Sequence, residues 1–188
     1  MSWTRERLEA VARERLHGAK VVVVANREPY IHVYQDGGIR CLRPASGLTT
    51  ALDPVMRACG GVWVAHGSGD ADRAVVDHRD NVAVPPEEPA YSLRRVWLSK
   101  DEEQGYYYGF ANEALWPLCH IAYARPQFHL SDWEQYRNVN RKFADAVLEE
   151  AGDGPAFVFV QDYHFALLPR MLKNVRSDLV IAQFWHIP

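Results

Sequence analysis

The sequence predicts an α/β fold in which a parallel β-sheet is covered by helices on both faces. Two features support this prediction. Short runs of apolar and β-branched residues alternate along the chain with segments of helical spacing, which is the order of elements found in parallel sheets. These runs also lack a polar residue at every second position, as is typical of strands that are buried on both faces.

The first half of the chain is predicted to contain a helix, a strand, an inserted hairpin, and then a second helix and strand. Residues 36–38 read Asp-Gly-Gly, a strong turn signal between two short β-type runs. A helix is predicted to begin at Ser46 and to end at the Gly60-Gly61 pair, because apolar residues recur there every three or four positions. The other predicted bounds are 1–18 for the leading helix, 19–25 for the first strand, 30–42 for the hairpin and 62–65 for the next strand.

The second half is predicted to continue this alternation. Residues 66–92 carry charges, glycines and a Pro-Pro pair, and are predicted to form a surface excursion. Ser99 with Glu102, and Ser131 with Glu134, have the spacing of a capping box, so a helix is predicted to start at each serine. The remaining predicted elements are strands at 95–98, 157–160 and 179–182 and a helix at 165–173.

Composition and charge exclude several classes of function. The formal net charge is -3 and charges of both signs are mixed along the chain, so we expect no nucleic-acid partner. No apolar run is long enough to span a bilayer, and the leading helix lacks the apolar core of a signal peptide. A cytoplasmic protein without membrane contact is therefore predicted, and its length fits a single domain.

No metal site and no cofactor are predicted. The three cysteines, Cys41, Cys59 and Cys119, are far apart and none belongs to a CxxC pair. The eight histidines form no HxxxH or HExxH pair on a predicted helix. The sequence also lacks the GxGxxG fingerprint of nicotinamide-binding folds and the GxSxG turn of serine hydrolases.

Polar residues that follow the predicted strands are the candidate binding residues, because parallel sheets bind ligands beyond the carboxyl ends of their strands. Arg27 follows the first strand, and its guanidinium could bind a phosphate or form a surface salt bridge. Asp162 follows a buried strand, and its carboxylate could accept hydrogen bonds from sugar hydroxyls or cap the next helix. His186 follows the last strand, where it could contact a hydroxyl or have a structural role.

Two further segments contain groups suited to a sugar nucleotide. Gly47 opens the second predicted helix, whose unpaired N–H groups suit a diphosphate, although Ser46 could simply cap that helix. Tyr107 and Trp116 lie in an aromatic-rich segment. Their rings could stack on the apolar face of a sugar or belong to the hydrophobic core.

Several motifs occur in the order found in one enzyme family. They are Val24-Ala25-Asn26-Arg27, Gly47-Leu48, Gly60-Gly61-Val62-Trp63, the segment 107–117 with its Leu-Trp-Pro, the segment 133–140, Val160-Gln161-Asp162-Tyr163-His164 and His186-Ile187-Pro188. In these motifs the chain resembles the trehalose-6-phosphate synthases, which are retaining glycosyltransferases of family 20. The resemblance extends over nearly the whole chain from Val21 onward.

This resemblance implies a GT-B enzyme built of two facing Rossmann-like domains, of which residues 1–188 would be the N-terminal, acceptor-side domain. It implies transfer of glucose from a nucleoside-diphosphate-glucose to glucose 6-phosphate in trehalose biosynthesis, with retention of configuration and without a metal. The C-terminal donor-binding domain would be absent from this sequence. The chain alone is therefore expected to be inactive.

On the acceptor side, the resemblance implies that Arg27 binds the phosphate of the acceptor, with Tyr107 and Trp116 lining the acceptor pocket. Asp162 would hold the acceptor's hydroxyl groups near the reacting carbon. Catalysis would come mainly from positioning and from stabilising the departing diphosphate, so no carboxylate nucleophile is expected.

On the donor side, the resemblance implies that His186 contacts the donor sugar and that N–H groups around Gly47 face its diphosphate. The chain departs from the family at three places. Ser46-Gly47 replaces a pair of glycines, Ala65-His66 replaces a glycine-tryptophan pair, and Gln183-Phe184-Trp185 replaces a more aliphatic or phenylalanine-rich segment. These departures leave the identity of the acceptor open more than the class of reaction.

Other functions also stay open at this point. The hairpin at 30–42 is similar to that of glucosylglycerol-phosphate synthases, and a relative that joins cyclitols is compatible with the same motifs. A non-catalytic module would bind a sugar phosphate or a separately encoded donor domain. Half of a two-domain enzyme would expose an apolar interdomain face, so a homo-oligomer is also compatible with the sequence.

Overall fold

The computed structural model describes residues 4–120 and 123–187. The strands in these ranges are β1 (Lys20–Val24), β2 (Ile31–Gln35), β3 (Gly38–Leu42), β4 (Val62–His66), β5 (Asn81–Val84), β6 (Tyr91–Val96), β7 (Ala156–Gln161) and β8 (Val180–Phe184). The helices are α1 (Arg5–Leu16), α2 (Gly47–Cys59), α3 (Asp72–Val75), α4 (Lys100–Glu103), a π-helix (Gln104–Leu115), α5 (Trp116–Cys119), α6 (Leu130–Ala151), a 3₁₀ helix (Tyr163–Phe165) and α7 (Leu168–Val175). Within the same two ranges, no helix has both the length and the apolar character needed to cross a membrane.

Six strands form one sheet in the order β5-β6-β4-β1-β7-β8. Neighbouring strands are parallel except for β5, which pairs with β6 in the antiparallel direction. β1 lies inside the sheet, where Val22 pairs with Val62 of β4 on one side and with Val158 of β7 on the other. The prediction of a parallel sheet is confirmed, with one antiparallel strand added at the edge.

Successive residues of β1 face two different layers of helices. Val22 and Val24 pack in one cluster with α6, α7 and the π-helix. Val21 and Val23 point to the opposite face and pack against α1 and α2. Burial on both faces is the reason why this strand can consist of consecutive valines. Helices on both faces of the sheet, as predicted, are therefore confirmed.

The predicted hairpin at 30–42 is also confirmed, since β2 and β3 pair with each other in a small antiparallel sheet. Asp36 and Gly37 form its turn, with positive φ values of 52° and 77°. Glycine and aspartate tolerate this backbone region better than branched residues do. The turn signal in the sequence was therefore a direct consequence of backbone sterics.

Residues 100–119 are continuously helical, because α4 passes into the π-helix and then into α5. The predicted capping box starts this segment: Glu102 N donates to Ser99 Oγ and Ser99 N donates to the Glu102 carboxylate. The π-helix packs on α6 so closely that a Cβ at Gly109 would collide with the carboxylate of Asp132. This contact fixes the position of the π-helix and hence of Tyr107 on it.

Several predicted bounds are wrong. The strand predicted at 95–98 is β6, which spans Tyr91–Val96 and pairs with β4 along that length. The excursion at 66–92 contains α3 and β5. The capping box predicted at Ser131 is not formed, because α6 begins one residue earlier and Ser131 lies inside it. The helix predicted at 165–173 is divided into the 3₁₀ helix and α7, which follow a sharp turn after β7.

Candidate functional site

A cavity of about 260 Å³ opens at the carboxyl ends of β1 and β7. Four of the predicted site residues line it: Arg27, Tyr107, Asp162 and His186. The topology explains this meeting, because parallel strands bring their carboxyl ends to the same edge of the sheet. A larger cavity of about 370 Å³ lies at the amino end of β1, between α1 and α2, and none of the predicted residues lines it.

Arg27 is the exposed cation at the rim of this cavity. Among the described residues it forms no ion pair, so its guanidinium is available to an anionic ligand. Arg27 also borders a second cavity of about 190 Å³, which shares Asn26 and Tyr107 with the first. The planar fork of a guanidinium can donate two hydrogen bonds to one phosphate, which makes this rim suited to a phosphorylated ligand.

Asp162 occupies the sharp turn between β7 and the 3₁₀ helix, with φ 72° and ψ 169°. Residues other than glycine rarely adopt this backbone region. Its carboxylate accepts hydrogen bonds from Tyr163 N at 2.9 Å and from His186 N at 3.3 Å. Asp162 therefore caps the following turn, as one reading of the sequence proposed, while it also lines the cavity.

His164 forms the buried wall behind Tyr107. The two rings stack with their centroids 5.1 Å apart and an interplanar angle of 9°. Burial lowers the pKa of His164 to about 4, the Asp162 carboxylate opposes this shift, and Arg27 adds to it. The imidazole of His164 is therefore neutral at neutral pH, which suits its packing on an aromatic ring.

The buried state of His164 makes the protein less stable in acid. The pKa of His164 in the folded state lies below its ordinary value of 6.5, so its stabilising contribution is present above that pH and is lost as pH falls toward about 4. Between pH 8 and pH 5 we expect the unfolding free energy of the wild type to fall by about 2 kcal/mol more than that of His164→Phe. Urea denaturation at both pH values measures this difference.

The pH dependence of the wild type must be compared with that of His164→Phe, because titration of Glu28 changes the unfolding free energy in the opposite direction. Burial raises the pKa of Glu28 to about 7, so its contribution is present at low pH and is lost as pH rises through that value. This contribution is common to both proteins and cancels in the difference. His78→Phe, at an exposed position, should behave like the wild type. Equal pH dependence in the wild type and His164→Phe would contradict the burial argument.

Two predicted site residues do not line the cavity. Trp116 is 42% exposed and stacks on His120 with the ring centroids 4.2 Å apart. Gly47 begins α2, and its neighbours Ser46 and Leu48 line the cavity instead. The roles of Trp116 and Gly47 toward acceptor and donor thus stay predictions.

Five lining residues lie outside the predicted set: Ser46 and Leu48 beside Gly47, and Asn26, Gln161 and His164. Each of the last three has a buried side-chain polar atom that lacks a hydrogen-bond partner within residues 4–120 and 123–187. The signal of Asn26, Gln161 and His164 in the sequence is the same as that of Arg27 and Asp162, because they too lie at or just after the carboxyl end of a buried strand. The parallel topology therefore brings uncharged polar residues at the ends of these strands to the cavity as well as charged ones.

A buried network of charges supports the rim behind Arg27. Glu28, the next residue, is 2% exposed and accepts hydrogen bonds from N and Oγ of Ser68, both at 2.9 Å. Its other oxygen lies 2.9 Å from Nε of Arg95, whose guanidinium is fully buried and also contacts the Asp72 carboxylate at 2.8 Å. The network joins the end of β1 to β6 and α3. No local pattern in the sequence predicts it.

A metal-binding cluster is not seen in the described part of the chain, where no three histidine, cysteine or acidic side chains come together in a suitable group. The polar side chains around the cavity carry instead one guanidinium, one carboxylate, imidazoles, amides and hydroxyls. This set of groups fits a ligand that carries both an anionic end and hydroxyl groups.

The sequence matches the family model of Glycosyltransferase family 20 over residues 19–188. It is 41% identical over 175 residues to a trehalose-6-phosphate synthase of Mycolicibacterium vanbaalenii, covering 93% of this chain and 35% of that protein. It is 44% identical over 169 residues to a trehalose-6-phosphate synthase of Mycobacterium avium, covering 89% of this chain and 33% of that protein. The chain thus spans 35% and 33% of the length of these two curated relatives.

Solved structures agree with the fold. A trehalose-6-phosphate protein from E. coli, bound with UDP-2-fluoro glucose, has a TM-score of 0.68 and 26% identity over 90% of this chain and 33% of that chain. An alpha,alpha-trehalose-phosphate synthase (UDP-forming) from Burkholderia xenovorans has a TM-score of 0.66 at 23% identity over 90% of this chain and 34% of that chain, which supports the fold. The Rossmann-like GT-B fold is confirmed, and the resemblance seen in the sequence motifs is confirmed with it: the chain belongs to glycosyltransferase family 20.

Proposed function

We propose that this chain forms the acceptor-side part of a retaining glycosyltransferase that transfers glucose from a nucleoside-diphosphate-glucose to glucose 6-phosphate, giving trehalose 6-phosphate. One observation carries the proposal: the Arg27 cation and the Asp162 carboxylate line the same cavity at the carboxyl edge of the sheet. Family membership and the names of the relatives support the class of reaction.

The two charged groups suit the two ends of a sugar phosphate. Arg27, exposed at the rim, binds the phosphate through charge-assisted hydrogen bonds. Asp162 accepts hydrogen bonds from sugar hydroxyls, since an ionised carboxylate can only accept. The ring of Tyr107 lines the same cavity and packs on the apolar face of the sugar. In this arrangement the acceptor hydroxyl is held close to the reacting carbon of the donor.

The donor side is supported by fewer groups. His186 lines the cavity and contacts the donor sugar, and the N–H groups at the start of α2 near Gly47 face its diphosphate. The E. coli structure, which is bound with UDP-2-fluoro glucose, supports a nucleoside-diphosphate sugar as the donor class. These groups position the donor and stabilise negative charge on the departing diphosphate, which is how such sites accelerate transfer.

Binding of glucose 6-phosphate tests this proposal directly. We expect Arg27→Ala to weaken that binding at least about tenfold, because a charge-assisted contact to the phosphate is lost. Isothermal titration of the 188-residue chain measures the change. The fold should be unaffected, since Arg27 is exposed.

The control is Arg79→Ala, at an exposed arginine that does not line the cavity, which should bind like the wild type. Glycerol 3-phosphate serves as a competitor, since it has the phosphate without the sugar ring. Equal affinity of Arg27→Ala and the wild type for glucose 6-phosphate would contradict the assignment of the rim. Tighter binding of glycerol 3-phosphate than of glucose 6-phosphate would contradict the proposed acceptor.

A further inference from the structure

Gln161 is a buried amide in the wall of the cavity that the proposed mechanism does not use. It is the last residue of β7 and is 2% exposed. Its Oε1 lies 3.2 Å from Nε2 of His186, which is within hydrogen-bond distance. Gln161 is therefore in direct contact with the residue that the proposed function places against the donor sugar.

His186 is held at two further points. Its backbone N donates to Asp162 Oδ1 at 3.3 Å, so consecutive residues at the end of β7 bind its main chain and its ring. The ring of Phe184 packs against the imidazole edge to face, with the centroids 4.8 Å apart and an interplanar angle of 66°. These contacts restrict the orientation of an imidazole that lies on an otherwise exposed segment.

The chemistry of the amide contact selects one form of the imidazole. An amide oxygen can only accept a hydrogen bond, so Nε2 of His186 must carry the proton in this contact. A neutral imidazole that is protonated on Nε2 has its lone pair on Nδ1. That nitrogen can accept a hydrogen bond from a hydroxyl group but cannot donate one.

We propose that Gln161 is a positioning residue for His186: its amide holds the imidazole with the proton on Nε2 and leaves Nδ1 to accept a hydrogen bond from a ligand hydroxyl. The part that concerns the hydroxyl rests on the proposed function, in which a sugar supplies it. The part that concerns the imidazole is independent of any ligand. The amide nitrogen of Gln161 is buried, so the residue acts through His186 and does not need to touch the ligand.

The first experiment observes the ring proton without a ligand. Ring-nitrogen correlation spectra of the ¹⁵N-labelled chain identify which nitrogen of His186 carries the proton and how fast that proton exchanges with water. We expect the proton on Nε2 in the wild type, with exchange about tenfold slower than in Gln161→Leu, because the variant lacks the acceptor. Gln161→Glu keeps an acceptor oxygen at the same reach and should restore slow exchange.

Gln35→Leu, at an exposed glutamine of the hairpin, is the matched control and should behave like the wild type. A proton on Nδ1 of His186 in the wild type would overturn the proposal. Equal exchange rates in the wild type and Gln161→Leu would overturn it as well. Gln161→Glu tests the same contact with His186. The contact can therefore still be tested if Gln161→Leu fails to fold.

The second experiment asks whether Gln161 acts through His186 on binding. A double-mutant cycle combines Gln161→Leu with His186→Ala and measures the affinity for a non-transferable nucleoside-diphosphate sugar. We expect Gln161→Leu to weaken binding about fivefold in the wild-type background and to have no effect once His186 is alanine. An equal loss in both backgrounds would overturn the positioning role. If the wild-type chain binds no sugar nucleotide, the cycle gives no signal and the proton measurement decides the role of Gln161.

Discussion

Arg95→Met is expected to lower the free energy of unfolding by about 3–5 kcal/mol, because it leaves two buried carboxylates without their cation. The Arg95 guanidinium lies 2.9 Å from Glu28 and 2.8 Å from Asp72, and it also donates to the carbonyl oxygen of Tyr30 at 3.0 Å. Methionine occupies a similar volume but supplies none of these contacts. Urea denaturation at alkaline pH, above the Glu28 pKa of about 7, measures the loss.

A surface arginine provides the control for this experiment. Arg79→Met, at an exposed position, should change stability by less than about 0.5 kcal/mol. The deficit of Arg95→Met should be larger at alkaline than at acidic pH, because the pKa of Glu28 is raised to about 7 even beside Arg95 and only alkaline pH leaves both carboxylates charged. If Arg95→Met loses no more unfolding free energy than Arg79→Met, or if its loss does not depend on pH, the buried network does not depend on the guanidinium.

Asp162→Gly is expected to be more stable than Asp162→Ala by about 2–3 kcal/mol, since φ 72° and ψ 169° form a backbone region that only glycine adopts without strain. Both variants lose the carboxylate and its bonds to Tyr163 N and His186 N. They differ only by one methyl group. Their difference in unfolding free energy therefore measures the backbone strain at this residue.

The surroundings of Asp162 hold this strained backbone in place. Its N donates to Phe184 O at 2.6 Å, and its carbonyl oxygen accepts from Gln183 Nε2 at 3.0 Å. At Asp178, an exposed residue without positive φ, the same pair of substitutions should give the opposite order, with alanine the more stable. Equal stability of the two variants at 162 would contradict the strain. Under the proposed function both variants at position 162 should also lose binding of glucose 6-phosphate. The glycine variant would then be the more stable of the two and still fail to bind.

The order of the elements, and the edge of the sheet at which the candidate site residues meet, could be predicted from the chain alone. The four valines 21–24 predicted a strand buried on both faces, and Asp36-Gly37 predicted a tight turn. These features could be predicted because they depend on neighbours along the chain, on backbone sterics and on the period of apolar residues. The parallel topology then places the strand-end residues Arg27 and Asp162 at one cavity without further information.

The pairing of side chains, and which of two similar aromatic residues reaches the cavity, could be learned only from the folded chain. Glu28 and Arg95 are 67 residues apart, and nothing in the local pattern around either one indicates that Arg95 is buried. Tyr107 and Trp116 lie on one helical segment, but only Tyr107 lines the cavity, while Trp116 stacks on His120. The positive φ of Asp162 likewise depends on bonds to Gln183 and Phe184. Each of these outcomes comes from contacts between residues distant in the chain, and such contacts exist only once the sheet and its helices have packed.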